Sequence, residues 1–209
     1  MMSFFCDAPR RGARRTSSQT TLTLEDRNMR SLFREVVALQ PEAKLACLRE
    51  LRCTGNALAR VEPECCMALR HLEVLCLSGN VLGCLPPELA QLRSLTSLRV
   101  ESNRLQALPA QIGELRRLTQ LWAGCNQLRE LPASLGSLRR LTELCLVDNQ
   151  LESLGEDSVA GLCSLERLEL SGNRLEDLPD ALRSLEALRS LWIDANRLSS
   201  CPRCLRDGP

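Results

Sequence analysis

Leucines and asparagines return along this chain at a fixed interval, in the order Leu-x-x-Leu-x-apolar-x-x-Asn-x-Leu. The pattern is clear in Leu72, Leu75, Leu77, Asn80 and Leu82, and again in Leu165, Leu168, Leu170, Asn173 and Leu175. Aligned on Asn56, Asn80, Asn103, Asn126, Asn149, Asn173 and Asn196, successive units are 24, 23, 23, 23, 24 and 23 residues apart. Within the first half of each unit, apolar residues at positions four and six alternate with polar ones, the period of a half-buried strand. The second half usually reads Leu-Pro-x-x-Leu-x-x-Leu, as at Leu131, Pro132, Leu135 and Leu138. Proline there disfavours a long helix while the leucines still point inward.

A unit of this size cannot bury its own leucines, so the pattern predicts stacking, each strand pairing in parallel with the next over one leucine column. The seven asparagines lie where the chain leaves each strand. A buried amide there can satisfy the backbone groups of the turn, and stacking makes the amides a ladder. The units start at Leu48, Leu72, Leu95, Leu118, Leu141, Leu165 and Leu188, and the last, ending at Pro209, is incomplete. Those beginning at Leu48 and Leu141 carry one extra residue and lack the Leu-Pro pair. A short helical turn is expected in each, with Cys66, Leu69, Val159 and Leu162 inward.

Residues 19–47 admit two readings. One is a degenerate first repeat, with Leu22, Leu24, Met29 and Leu32 in register, Arg27 in the asparagine position and a helical return over Phe33 to Lys44. The other is a capping helix over Leu24 to Leu39 with Thr23 as N-cap. Both shield the end of the leucine column. Residues 1–18 read as a disordered basic tail.

These motifs resemble the leucine-rich-repeat family, and the 23-residue unit with Leu-Pro-x-x-Leu is similar to its intracellular Ras-suppressor and Ras-scaffold subgroup. The resemblance spans about residues 45–205. It implies an α/β leucine-rich-repeat solenoid, a horseshoe with a concave parallel β-sheet and short 3-10 or irregular convex segments. It also implies a concave face used for recognition, and by analogy a small GTPase or a phosphatase as partner.

Positions two, three, five, seven and eight of each strand point away from the leucines and make up that concave face. Position five, at its centre, reads Arg52, Cys76, Arg99, Trp122, Cys145, Glu169 and Trp192, so both tryptophans of the chain fall in one row. Tryptophan and arginine are typical interface anchors. Trp122 and Trp192, with Arg99, Arg52, Glu143, Arg167 and Glu169, are therefore the candidate partner-binding residues; simple packing of the rings over neighbouring strands is the competing account. Position three reads Glu50, Val74, Ser97, Gln120, Glu143, Arg167 and Ser190, mixed in sign, and selects no single ligand charge.

Composition removes several other functions. Net charge is +1, which gives nucleic acid no basic face to bind. The single histidine, His71, and the absence of phosphate-binding or dinucleotide motifs argue against an enzyme, and no cofactor or metal is expected. Cys201-Pro202-Arg203-Cys204 has the spacing of half a zinc site but no second pair, so Cys201 reads as a core substitute, like Cys53. Cys76, Cys125 and Cys145 are expected to be exposed on the concave side. Twelve unevenly spaced cysteines without a secretory signal fit a reducing, cytoplasmic location, with the nucleus as an alternative and a mitochondrial presequence disfavoured by Asp7. No apolar run is long enough to span a membrane. Arg14-Arg15-Thr16-Ser17 resembles the target of basophilic kinases and makes Ser17 a candidate phosphorylation site.

The functional expectation is a non-catalytic scaffold or adaptor binding a protein through its concave face. The alternative is the substrate-targeting module of a larger enzyme, such as a ubiquitin ligase or kinase, whose catalytic domain lies outside this chain.

Overall fold

Each unit begins with a strand only three residues long, because beyond it the chain must turn to bury the next leucine. In the computed structural model, which describes residues 20–39 and 45–199, these strands are β1 (Thr21–Thr23), β2 (Glu50–Arg52), β3 (Val74–Cys76), β4 (Ser97–Arg99), β5 (Gln120–Trp122), β6 (Glu143–Cys145), β7 (Arg167–Glu169) and β8 (Ser190–Trp192). They form one eight-stranded parallel sheet in sequence order. The register is fixed by the fourth position: Leu22, Leu51, Leu75, Leu98, Leu121, Leu144, Leu168 and Leu191 lie side by side, and the central six are fully enclosed. A one-residue slip would turn this whole row to the solvent, so the leucines specify the pairing.

The return segments follow from what precedes them. Pro86, Pro109, Pro132 and Pro179 stand just before the 3-10 turns Pro87–Gln91, Ala110–Glu114, Ala133–Ser137 and Asp180–Ser184, each with φ between −63° and −73° and an extended ψ. The proline ring supplies that φ at no entropic cost and fixes where the turn starts. The two units with an extra residue instead turn through α-helices, α2 (Pro63–Ala68) and α3 (Glu156–Val159), burying Cys66, Leu69, Val159 and Leu162. The backbones of neighbouring turns approach closely here. A β-carbon added at Gly136 would sit 2.2 Å from the carbonyl oxygen of Asp157, and one at Gly113 would sit 2.2 Å from that of Ser134.

Asparagine ties these turns together. The Nδ2 of Asn126 donates to the carbonyls of Val100 in the preceding unit at 3.0 Å and of Ala123 in its own at 3.1 Å, while Oδ1 accepts the N–H of Leu105 at 3.0 Å. Asn80, Asn103, Asn149, Asn173 and Asn196 repeat this set of partners. Asn56 binds Leu24 and Cys53 in the same way, and its Oδ1 takes the N–H groups of Arg27 and Met29 at 3.0 and 3.1 Å. The residue before each asparagine has a positive φ. It is glycine at Gly55, Gly79 and Gly172, but Ser102, Cys125, Asp148 and Ala195 adopt φ of 50° to 54° in the same place. An L-residue there costs about 1–2 kcal/mol, a strain the stack sustains.

At the amino-terminal end β1 extends the sheet and is followed by the helix α1 (Leu32–Leu39), whose first turn is held by Glu62 of the next unit. Its carboxylate accepts the Ser31 hydroxyl at 2.7 Å and the Phe33 N–H at 3.3 Å. A helix running from Leu24 does not form: Thr23 closes β1, and 24–31 are non-helical with Leu24 and Met29 buried. Arg27 occupies the asparagine position with its side chain exposed. Each asparagine binds backwards to the unit before it, and for β1 no preceding strand exists among the described residues. Among the described residues an amide at position 27 would find only the carbonyls of its own turn. The basic tail with Ser17, and Cys201 and Cys204, lie outside the described residues, as do positions 40–44 of the expected helical return.

Replacing Asn126 by alanine would orphan buried backbone groups in two units at once. We expect a loss of about 3 kcal/mol in urea unfolding, and a smaller loss for Asn196→Ala at the half-exposed end. A cost under about 1 kcal/mol at Asn126 would show that the ladder is incidental.

Candidate functional site

Opposite the leucines, the concave face of β2 to β8 is covered by no other described element, and the position-five row runs along its centre. Register places Arg99 directly beside Trp122, and Glu169 beside Trp192. All seven residues singled out in the sequence share this face, but they do not form one contiguous group: Arg52 lies on β2, and the rest on β4 to β8.

Contacts within the face are specific. The Arg99 guanidinium stacks over the Trp122 ring with Cζ 4.6 Å from its centroid, and Arg167, one strand back and two positions off, lies 5.8 Å from the Trp192 centroid. A cation held over an indole is attracted by its quadrupole, by about 0.5–1 kcal/mol at an exposed site. Trp192 stays 40% exposed. Trp122 is half-buried, and its Nε1 is enclosed without a hydrogen-bond acceptor. Trp122 is thus partly packed into the face itself. Arg52 turns instead to Glu50, its Nη2 lying 2.6 Å from Oε1. Glu143 receives only a long bond from Gln120 Nε2 at 3.4 Å.

The thiols depart from expectation. Cys125 is exposed and Cys145 half-buried, but Cys76 is enclosed at 8% exposure rather than open on the concave side. The flanking Thr54 hydroxyl, 3.2 Å from its sulfur, and Ser78 at 3.6 Å cover it. Burial pushes the Cys145 thiol up to about 12, with the neighbouring Glu169 carboxylate adding to the shift, and burial and then Asp148 move Cys125 in the same direction. Raised values lower the thiolate fraction of both groups at neutral pH.

Two features escaped sequence reasoning. Thr96, Thr119 and Thr142 at position two pass their hydroxyls to the carbonyls of Glu73, Thr96 and Thr119 at 2.9 to 3.0 Å. This second ladder holds the entry side of the strands as asparagine holds the exit, and three threonines at one position were its visible signal. Glu101 at position seven is largely covered; burial raises its carboxyl, opposed by the Ser78 hydroxyl at 2.5 Å. No sequence pattern marked it. His71 is exposed at the end of its unit. Among the described residues no group of three or more His, Cys, Asp or Glu could hold a metal ion, and no helix is long and apolar enough to cross a membrane.

A family model described as a leucine-rich repeat region matches residues 21–205. The chain belongs to the leucine-rich-repeat family. Solved structures agree: a leucine-rich-repeat protein of Leptospira interrogans is 30% identical with a TM-score of 0.81, over 88% of this chain and 45% of that one. The Arabidopsis receptor kinase HAESA, in complex with a peptide hormone and a co-receptor, is 31% identical with a TM-score of 0.65, over 74% of this chain and 27% of that one. A second plant peptide hormone receptor, RGFR1, also bound to a peptide, is 25% identical with a TM-score of 0.68, over 78% and 27%. This leucine-rich-repeat chain thus spans less than half the length of each. No curated protein matches it in sequence. The fold is generally a non-catalytic protein-interaction module, and the receptors are leucine-rich-repeat proteins seen holding peptides.

Alkylation separates Cys145 from the exposed thiols. At pH 8 iodoacetamide should modify exposed Cys84 and Cys163 within minutes, and Cys145 much more slowly until pH approaches its raised value. Mass spectrometry of timed digests checks this, and early labelling of Cys145 would contradict the burial described.

Proposed function

We propose that this leucine-rich-repeat chain is a non-catalytic adaptor that binds a protein partner through its concave face, in the cytoplasm. The observation that carries the reading is the position-five row. Two tryptophans stand in it three strands apart, each with an arginine guanidinium over its ring, on a sheet face that no described element covers. A tryptophan already fixed in place loses little entropy on binding and buries a large area, which is what makes such residues hot spots. The peptide-bound receptors similar in fold support use of a leucine-rich-repeat surface for proteinaceous ligands. A small GTPase or a phosphatase is the partner suggested by the resemblance of the repeat units to the Ras-suppressor and Ras-scaffold subgroup.

The test is affinity purification with the intact chain and with the Trp122→Ala, Trp192→Ala pair, both checked by circular dichroism. Loss of two anchors should weaken the recovered partner by at least about tenfold. Equal capture by the folded variant would move binding off the concave face.

A further inference from the structure

The chain as a whole is almost neutral, at +1, but its charge is not evenly shared between faces. On the concave positions of β6 to β8 stand Glu143, Asp148, Glu166, Glu169 and Asp194, against Arg167 and Arg189, the latter paired with Glu166 at 3.9 Å. Arg167 lies 5.8 Å from the Trp192 centroid and beside Glu143 in register. Glu143, Asp148, Glu169 and Asp194 have no cation within 4.0 Å among the described residues. Their hydrogen-bond partners are Gln120 to Glu143 at 3.4 Å, Ser171 to Asp194 at 3.5 Å and Cys125 to Asp148 at 3.9 Å, all long. Strands β2 to β4 differ. There Arg52 is closed against Glu50 at 2.6 Å, Glu101 is covered and bonded by Ser78, and Arg99 lies on Trp122. Negative charge is thus concentrated between and beside the two tryptophans.

Resting on the concave-face reading above, we propose that the β5 to β8 portion of this face takes a basic segment of a partner protein, setting an arginine or lysine side chain against Glu143 and Glu169 between Trp122 and Trp192. Three strand spacings separate the rings, about 14 Å, which about four residues of extended peptide running along the row would span. The row between them reads Cys145 and Glu169, so Glu169 stands beside Trp192, while Glu143 stands on the strand next to Trp122, two residues before Cys145. A long cationic side chain fits such a floor: its methylene stem covers indole while its head reaches carboxylate. An acidic segment would meet uncompensated like charge, and a purely apolar one would strip water from Glu143 and Glu169 without replacing it.

The probe is a library of random peptides of about 12 residues displayed on phage and selected on the intact chain, followed by titration of one labelled winner. Winners should be enriched in arginine and lysine, and affinity should fall about tenfold for the Glu143→Gln, Glu169→Gln pair and several-fold between about 50 and about 300 mM salt. Removing the exposed convex charges with Glu152→Gln and Glu176→Gln should leave it unchanged. Winners that are neutral or acidic, or that bind the Glu143→Gln, Glu169→Gln pair undiminished, overturn the proposal. If such winners still lose binding in the Trp122→Ala, Trp192→Ala pair, the concave face stands as the binding surface and only the basic occupant is wrong. Indifference to both pairs removes both readings.

Discussion

Everything in this molecule depends on one amide being shared between two turns. A strand of three residues has too few ladder bonds to persist alone, and the leucines behind it are non-directional: they favour contact but not a particular turn. The asparagine side chain adds direction. By donating to a carbonyl of the preceding unit and one of its own, and accepting an N–H from the preceding unit, it converts neighbouring turns into one hydrogen-bonded object. The amides are buried at 6% to 9% exposure in the units from Asn56 to Asn173, where water could not substitute for a missing partner.

That constraint explains what the concave face is free to do. With leucine, asparagine and threonine holding the stack from behind and from both ends of the strands, positions three and five carry no structural duty beyond strand geometry. Sequence can vary there at low cost, which is why one row can hold arginine, cysteine, tryptophan and glutamate in succession. The same logic accounts for Arg27 at the amino-terminal end. Its unit has no described strand before it, and the asparagine is the first element to disappear.

Much of this was readable from the chain. Spacing located each strand from β2 to β8 and the inward residues of both long units, because period and burial are linked by geometry alone. The site was legible only as a row. That Trp122 and Trp192 share a face follows from counting; that arginines lie over both rings, from one position in the first case and a different position in the second, depends on rotamers that no spacing encodes. Cys76 shows the same limit. Its position points outward, yet Thr54 and Ser78 on either side are close enough to cover a side chain so small. The acidic bias of β6 to β8 was hidden as well, since reading position three as mixed in sign left out the turn carboxylates Asp148 and Asp194.

Hydrogen exchange by mass spectrometry on the wild-type chain and Asn126→Ala reports most directly on whether the amides couple neighbouring turns. Shared hydrogen bonding predicts that protection falls in the turn after Val100 as well as in the turn after Ala123, while β1 and β2 exchange as before. Loss confined to the turn that carries residue 126, with the Val100 turn unaltered, would contradict it and reduce the ladder to a row of independent caps.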